Sequence, residues 1–446
     1  MKLFLLTPGT GSYHCGVCMR DNALAKELHR QGHDAVMLPM YLPLTLDEEP
    51  ASPDSPIFFG GINVYLQQKF ALFRHTPRWL DSLFNNHWLL KKVAGSSASQ
   101  TGGAEIGDLT HSMLLGEEGK QAKELQELIA WMREHGKPNA VWLSTALLVG
   151  LARRIREEVG IPVLGSLQGE DSFLDSLAEP WRTRCWETLA QRSRDVTAFV
   201  APSRYYADLM GKRMKLTPEQ LHVIPNGVAI DDFQPPSAPP DPPSIGYLAR
   251  MSASKGLGTV IDAFVLLKKR GRFPRVKLLV AGAMTAADEE YVNTLKAKLH
   301  AAGCADRVEF HPNVSREEKS AFLRRLTLLS VPANYGEAFG LYVAEAWAAG
   351  VPVVQPNCAA FSEMIEATGA GRLFEPSNTA ALVGEWEKLL ADPPEAHALG
   401  RNGRAAAERV YSIAIMARRF IELTRESVGG PACPASDMPI ACAHGS

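Results

Sequence analysis

Along the chain, short apolar runs alternate with longer segments of helical period, the pattern of successive parallel βα units. The runs predict strands at Lys2–Leu6, Ala35–Leu38, Ile62–Leu66, Ala140–Ser144, Val163–Leu167 and Ala198–Pro202. A stiff Pro-Pro-Ser-Ala-Pro-Pro-Asp-Pro-Pro segment at 235–243 then interrupts the series, since it cannot donate to a sheet ladder. A second series follows at Ser244–Leu248, Lys277–Ala281, Arg307–Phe310, Leu328–Pro332 and Val351–Val354. The expected architecture is α/β, two doubly wound Rossmann-like domains facing a central cleft. The first runs over 1–234, with an insertion at about 45–125, and the second over 243–410. A last helix spans 411–427, and the small, proline-containing stretch 428–446 reads as a disordered tail. Within the insertion, the aromatic and basic segment around Trp79, His87 and Trp88 suits a packed lid, a sugar-binding surface or a membrane interface alike.

Composition narrows the function classes. A net charge of -2 with no basic stripe argues against a nucleic-acid partner. Seven irregularly spaced cysteines suggest a reducing compartment. The apolar start Met1–Leu6 is too short for a signal segment, and no uncharged run reaches the about 20 residues of a membrane span. The expected location is therefore cytoplasmic.

The chemistry centres on Asn334 to Pro352, a strand-loop-helix unit. Its helix is expected to start near Ala338 or Phe339 and to stop at Gly350 and Pro352. Glu337 would then stand at the helix mouth and Glu345 about two turns inside. The free amides of 338–341 lie between them, ready for a diphosphate or a sugar hydroxyl oxygen. Taken alone, the two glutamates fit equally a capping residue and a solvated one. Arg250 and Lys255 flank a flexible turn at a strand end, a fork and a point charge that suit a diphosphate as well as they suit a surface. A glycine-rich loop at 7–16 and the polar loop Ser166–Asp171 close two strands of the first half. Cys15 and Cys18 form a C-x-x-C at a helix start, open to packing, redox or metal readings.

Together these stretches resemble the family 4 retaining nucleotide-sugar glycosyltransferases of GT-B fold, with a distant likeness to glycogen and starch synthases. Glu337 and Glu345 with the Ala-Trp-Ala-Ala-Gly-Val-Pro that follows look like the E-x7-E signature; Arg250 to Gly256 looks like the Arg-x4-Lys-Gly motif, with Ala249 and Met251 in place of Gly and Leu. The resemblance implies a catalytic set of Glu337, Arg250, Lys255 and Gln168, where Gln168 replaces a frequent His at the donor sugar. It implies donor contacts from Gly16, Ala338, Phe339, Gly340, Leu341, Glu345 on the ribose and Val314 in the base loop, and an acceptor oriented by Glu170 and Asp171. Cys15 replaces one family glycine before Gly16, and Pro312 another in the base loop. Ser203, Asn226–Val228 and Glu363 also match family positions.

The activity that the resemblance implies is glycosyl transfer from a nucleotide diphosphate sugar, with UDP the expected nucleotide, to a hydroxyl of a glycan, lipid or small molecule. The donor is a substrate, and neither an obligatory cofactor nor a metal is implied. Closure about a hinge at Asn226–Pro243 would exclude water. Peripheral membrane contact through the insertion stays open, and oligomeric state is not legible. Rivals on the same fold are a glucan synthase, although the Lys-Thr-Gly-Gly loop of that group is absent, and a nucleotide-sugar epimerase. From other classes come a catalytically silent sugar-nucleotide or glycan-binding protein, which Gln168 keeps open, and a C-x-x-C redox protein.

Overall fold

The computed structural model describes residues 1–9, 16–44, 46, 48–53, 55–60, 64, 67–68 and 103–429. It divides into two compact units, Met1–Pro225 with the segment from Met416, and Asn226–Ile415. The change of unit at Pro225 leaves residues 226–234 with the second unit.

The first unit holds a parallel sheet of β1 (Lys2–Pro8), β2 (Asp34–Met40), β3 (Ala140–Leu143), β4 (Val163–Ser166), β5 (Ala198–Ala201) and β6 (Leu221–Val223), in the order β2-β1-β3-β4-β5-β6. Its central strands are buried along their length, as parallel strands covered on both faces must be, which is why they read as unbroken apolar runs. The expected strand at Ile62–Leu66 falls, Val64 apart, outside the described residues. So does much of the insertion, including Trp79, His87 and Trp88, and so does the tail beyond Gly429.

The second unit repeats the plan with β7 (Ser244–Leu248), β8 (Lys277–Gly282), β9 (Val308–Pro312), β10 (Leu328–Leu329), β11 (Val353–Pro356) and β12 (Gly371–Phe374), ordered β12-β11-β10-β7-β8-β9. Two strands were not expected from the sequence, β6 and β12. Both are short edge strands, mostly half-buried, without the apolar run that marks a central strand. β10 is shorter than the expected Leu328–Pro332. Past Leu329 the Ser330 amide still donates to the Gly246 carbonyl of β7 at 2.9 Å, but towards β11 side chains take over, with the Val331 amide donating to Gln355 Oε1 at 3.2 Å and Ser330 Oγ to the Val354 carbonyl at 2.6 Å.

The last helix, Ile413–Val428, begins in the second unit and continues in the first. There Phe420 stacks on Trp142 with centroids 4.2 Å apart, and Thr424 Oγ1 accepts from Trp142 Nε1 at 3.0 Å. No helix among the described residues is long and apolar enough to cross a membrane.

Candidate functional site

The candidate site residues fall in both units. In the second, the decisive local feature is Gly340, whose φ of 81° is left-handed. A residue there cannot be helical, so the helix begins one residue later, at Leu341, and ends at Ala348. The expected start at Ala338 or Phe339 is thus corrected. Ala338 and Phe339 are buried loop residues, Gly340 is the N-cap, and the helix amides begin at Leu341. Glu345 consequently lies one turn inside the helix, not two. A Cβ on Gly340 would sit 2.7 Å from the Phe361 ring, so the position has no room for another residue.

Glu337 projects from the loop between β10 and this helix. Three donors converge on one of its oxygens, Oε2: Lys255 Nζ at 2.5 Å, Tyr335 hydroxyl at 3.1 Å and Tyr342 hydroxyl at 3.2 Å. Among the described residues Oε1 has no donor. The Lys255 ammonium also lies 4.9 Å from the Tyr335 ring centroid and 5.9 Å from that of Tyr342, where the ring faces attract a cation. Burial, then the Glu337 charge, raises the Tyr342 hydroxyl well above its ordinary pKa, so it remains a donor.

Lys255 reaches this point because its turn is pressed against the end of the Glu337 strand. The Asn334 amide donates to the Ser254 carbonyl at 3.1 Å. Gly256, at φ 77°, would place a Cβ 1.9 Å from the Pro332 carbonyl oxygen. Only glycine permits that approach.

Arg250, half exposed at the end of β7, pairs with Asp288 at 3.1 Å, and the buried Tyr247 hydroxyl donates to the Arg250 carbonyl at 2.7 Å. Burial pushes the Asp288 carboxyl up, but the Thr285 amide and hydroxyl and Arg250 together pull it below its ordinary range. At the end of β9, Pro312 has no amide hydrogen and the Asn313 amide is committed to the Gly282 carbonyl at 2.8 Å. The next loop amide, that of Val314, has no acceptor among the described residues. Glu345 Oε1 accepts from Lys319 Nζ at 2.7 Å. Glu363 lies on the helix Ala359–Thr368, whose Ala360 amide donates to the Glu337 carbonyl at 3.3 Å.

Residues 229–406 match the family model of the glycosyl transferases group 1, and residues 113–232 that of Glycosyltransferase Family 4, so that the two together span more than half of the chain. The chain belongs to the group 1/family 4 glycosyltransferases. A relative, the D-inositol 3-phosphate glycosyltransferase of Xylanimonas cellulosilytica, is 29% identical over 48% of this chain and 53% of its own length, so the chain spans about half of that relative. The sucrose-phosphate synthase of Thermosynechococcus elongatus shares the fold at a TM-score of 0.70 and 18% identity, covering 96% of this chain and 98% of that one. Anabaena HepE, solved in complex with UDP, shares it at 0.66 and 15%, covering 96% and 100%.

In the first unit of this family member, Gly16 opens helix Gly16–Arg30 at an exposed position where a Cβ would meet nothing within 4 Å. Residues 10–15 of the glycine-rich loop, Cys15 among them, lie outside the described residues. Cys18 is fully buried with its Sγ donating to the Pro8 carbonyl at 2.8 Å, the setting of a packing thiol. Gln168 stands half-buried at the end of β4. Glu170 is 4% exposed and saturated. Its Oε1 accepts from Thr145 Oγ1 at 2.7 Å and the Ala146 amide at 2.9 Å, and its Oε2 from the Gln168 and Gly169 amides at 2.7 and 3.0 Å and from the Tyr206 hydroxyl at 3.1 Å. Asp171 is less enclosed and lies 2.9 Å from the same hydroxyl.

Four side chains of this geometry were not expected from the sequence: Tyr335, Tyr342, Asp288 and Lys319. Tyr335 and Tyr342 flank Glu337 closely, so polar rings beside a key carboxylate were a usable signal. Asp288 and Lys319 meet their partners only through the fold.

Proposed function

We propose that this chain transfers a glycosyl group from a nucleotide diphosphate sugar, with UDP as the nucleotide, to a hydroxyl of a glycan, lipid or small molecule, with retention of anomeric configuration. The observation that carries this is the Glu337 carboxylate, held on one oxygen by Lys255, Tyr335 and Tyr342 and, among the described residues, without a donor on the other. The unit that contains it matches the group 1 model, and a fold neighbour is named in complex with UDP.

Charge gathers on the leaving diphosphate as the anomeric bond breaks, and fixed cations beside it lower that barrier. Arg250 and Lys255 are those cations. Each is now paired with a carboxylate, Asp288 and Glu337, and the donor diphosphate competes for both. Glu337 Oε1 accepts from a hydroxyl of the donor sugar, Glu345 from the ribose, and the Val314 amide donates to the base. The amides from Leu341 onward donate to phosphate oxygens, with Ala338, Phe339 and Gly340 shaping the approach. In the first unit Gln168 donates to the sugar and Asp171 orients the acceptor, and Glu170 holds the start of the helix on which Asp171 lies. A second reading, a binding protein without turnover, is favoured by the uncharged Gln168.

The test is a thermal-shift panel with UDP, GDP, ADP and their sugar conjugates on the protein and on the Arg250→Ala/Lys255→Ala variant. A ligand at a hundred times its Kd stabilises by about 2.7 kcal/mol. Stabilisation by UDP species, lost in the variant, is the expected result; none with any nucleotide overturns the proposal. Binding of a UDP-sugar with neither transfer nor hydrolysis across an acceptor screen would establish the second reading.

A further inference from the structure

Glu345 has a partner far away in sequence. Lys319 lies on the helix Arg316–Leu323, which leaves the loop carrying Val314 and opens with Ser315 as N-cap and Glu318 closing the capping box. Both ends of the Lys319–Glu345 pair are close to buried, the side chains being 14% and 11% exposed. The helix cannot drift, because its other polar groups are tied as well. Arg316 pairs with Asp232, and Ser320 Oγ donates to the Asp232 carbonyl at 2.7 Å.

The Lys319 ammonium engages Oε1 of Glu345 at 2.7 Å, while Oε2 has no donor among the described residues and is not among the buried atoms lacking a partner. A carboxylate so held has one oxygen anchored and the other presented. For stability alone such a pair is a poor device, since desolvating two charges offsets most of their attraction. For recognition it fixes a long side chain in one rotamer before any ligand arrives.

We infer that Lys319 is a positioning residue for the donor nucleotide: it fixes Glu345 so that Oε2 accepts from a ribose hydroxyl, and it ties that contact to the loop whose Val314 amide meets the base. This rests on the nucleotide-sugar reading above. Base and ribose recognition are then mechanically joined, since one short helix carries the base loop at its start and the anchor of the ribose carboxylate one turn further on.

Titration calorimetry with UDP and with 2′,3′-dideoxy-UDP tests it on the full chain, Lys319→Met, Lys319→Arg and Glu345→Gln. In the unaltered protein, loss of the ribose hydroxyls should weaken binding about ten- to a hundredfold, the usual scale of a hydrogen bond to a charged group. In Lys319→Met that ratio should fall towards one, because UDP loses affinity and the dideoxy analogue does not; Lys319→Arg should restore most of it. An unchanged ratio in Lys319→Met would overturn the inference and leave a purely structural ion pair. If Lys319→Met does not fold, Glu345→Gln decides: the ratio should fall towards one there, and an unchanged ratio would overturn the inference, since Lys319 would then have no ribose contact to position. If the unaltered protein binds neither nucleotide, the nucleotide-sugar reading itself fails, and the two failures are told apart.

Discussion

Glu170 and Glu337 both follow a strand of a parallel sheet, Glu170 as the first residue of the short helix Glu170–Ser176 and Glu337 in a loop, and the sequence offered both as site residues. The structure separates them by what binds their oxygens. Glu170 spends both on five donors, three of them backbone amides, and so is consumed in tying the start of its helix to the Gln168–Gly169 turn, to Thr145–Ala146 and to Tyr206. Glu337 gathers three side-chain donors on Oε2 and, among the described residues, leaves Oε1 open. Backbone donors are bound to the fold, whereas the Lys255 ammonium and the two tyrosine hydroxyls are side-chain donors, for which a ligand oxygen can compete. A carboxylate with an open lone pair and exchangeable partners is equipped for substrate, and a saturated one for architecture.

The largest expected effect tests the saturated side of that comparison. Glu170→Ala leaves several buried donors unmatched, each costing about 1–3 kcal/mol, and should destabilise the chain by about 3–5 kcal/mol in denaturant unfolding. A loss below about 1 kcal/mol would put Glu170 on the functional side. Glu337→Gln should do the reverse. Turnover of a UDP-sugar should fall about 10²- to 10³-fold, the usual cost of losing one placed electrostatic contact, with the unfolding midpoint little changed. Intact turnover would remove the role assigned to Glu337.

Tyr342→Phe sharpens the comparison further, since it removes one of three donors without touching the carboxylate. We expect a loss of about tenfold in kcat, in line with a single hydrogen bond. Beside the same loop, Ala359 takes a φ of 53°, where a side chain is strained. Ala359→Gly should therefore raise stability by about 1 kcal/mol, read as a higher melting temperature.

The smallest effect is a control away from both glutamates. Glu309 carries Arg325, Lys277 and His311 on its oxygens, and chiefly the Arg325 hydrogen bond holds its pKa at about 2 instead of 4.5. A depressed carboxyl stabilises above its unfolded pKa. That contribution should be complete above about pH 4.5 and drain away as the pH falls towards 2. Arg325→Met should flatten the acid limb of the stability curve in this window. An unchanged limb would show that the pair, with Arg325 45% and Glu309 32% exposed, is screened by solvent.

Much of the fold and the site is legible in the sequence. The central strands announce themselves because a parallel sheet buries both faces and demands unbroken apolar runs. The Glu337, Glu345, Arg250 and Lys255 motifs are readable because each is local, set by a loop and the first residues beyond it. The start of the Glu337 helix was misplaced because no sequence rule says which glycine of Gly336 and Gly340 adopts the left-handed turn. Edge strands β6 and β12 escaped for want of a buried face. The Lys319–Glu345 and Arg250–Asp288 pairs join residues on separate helices and loops, where no spacing rule applies.

The sequence by itself determined the α/β class and the two series of βα units, and it named the candidate residues for the chemistry, because periodicity and loop motifs depend only on near neighbours. Only the tertiary structure decided which carboxylate is spent and which is open, since the donors that settle this, Tyr206 and Thr145 for Glu170 and Lys255 for Glu337, come from distant segments. Hydrogen-bond capacity is a property of a side chain, but its remaining share is a property of everything packed around it.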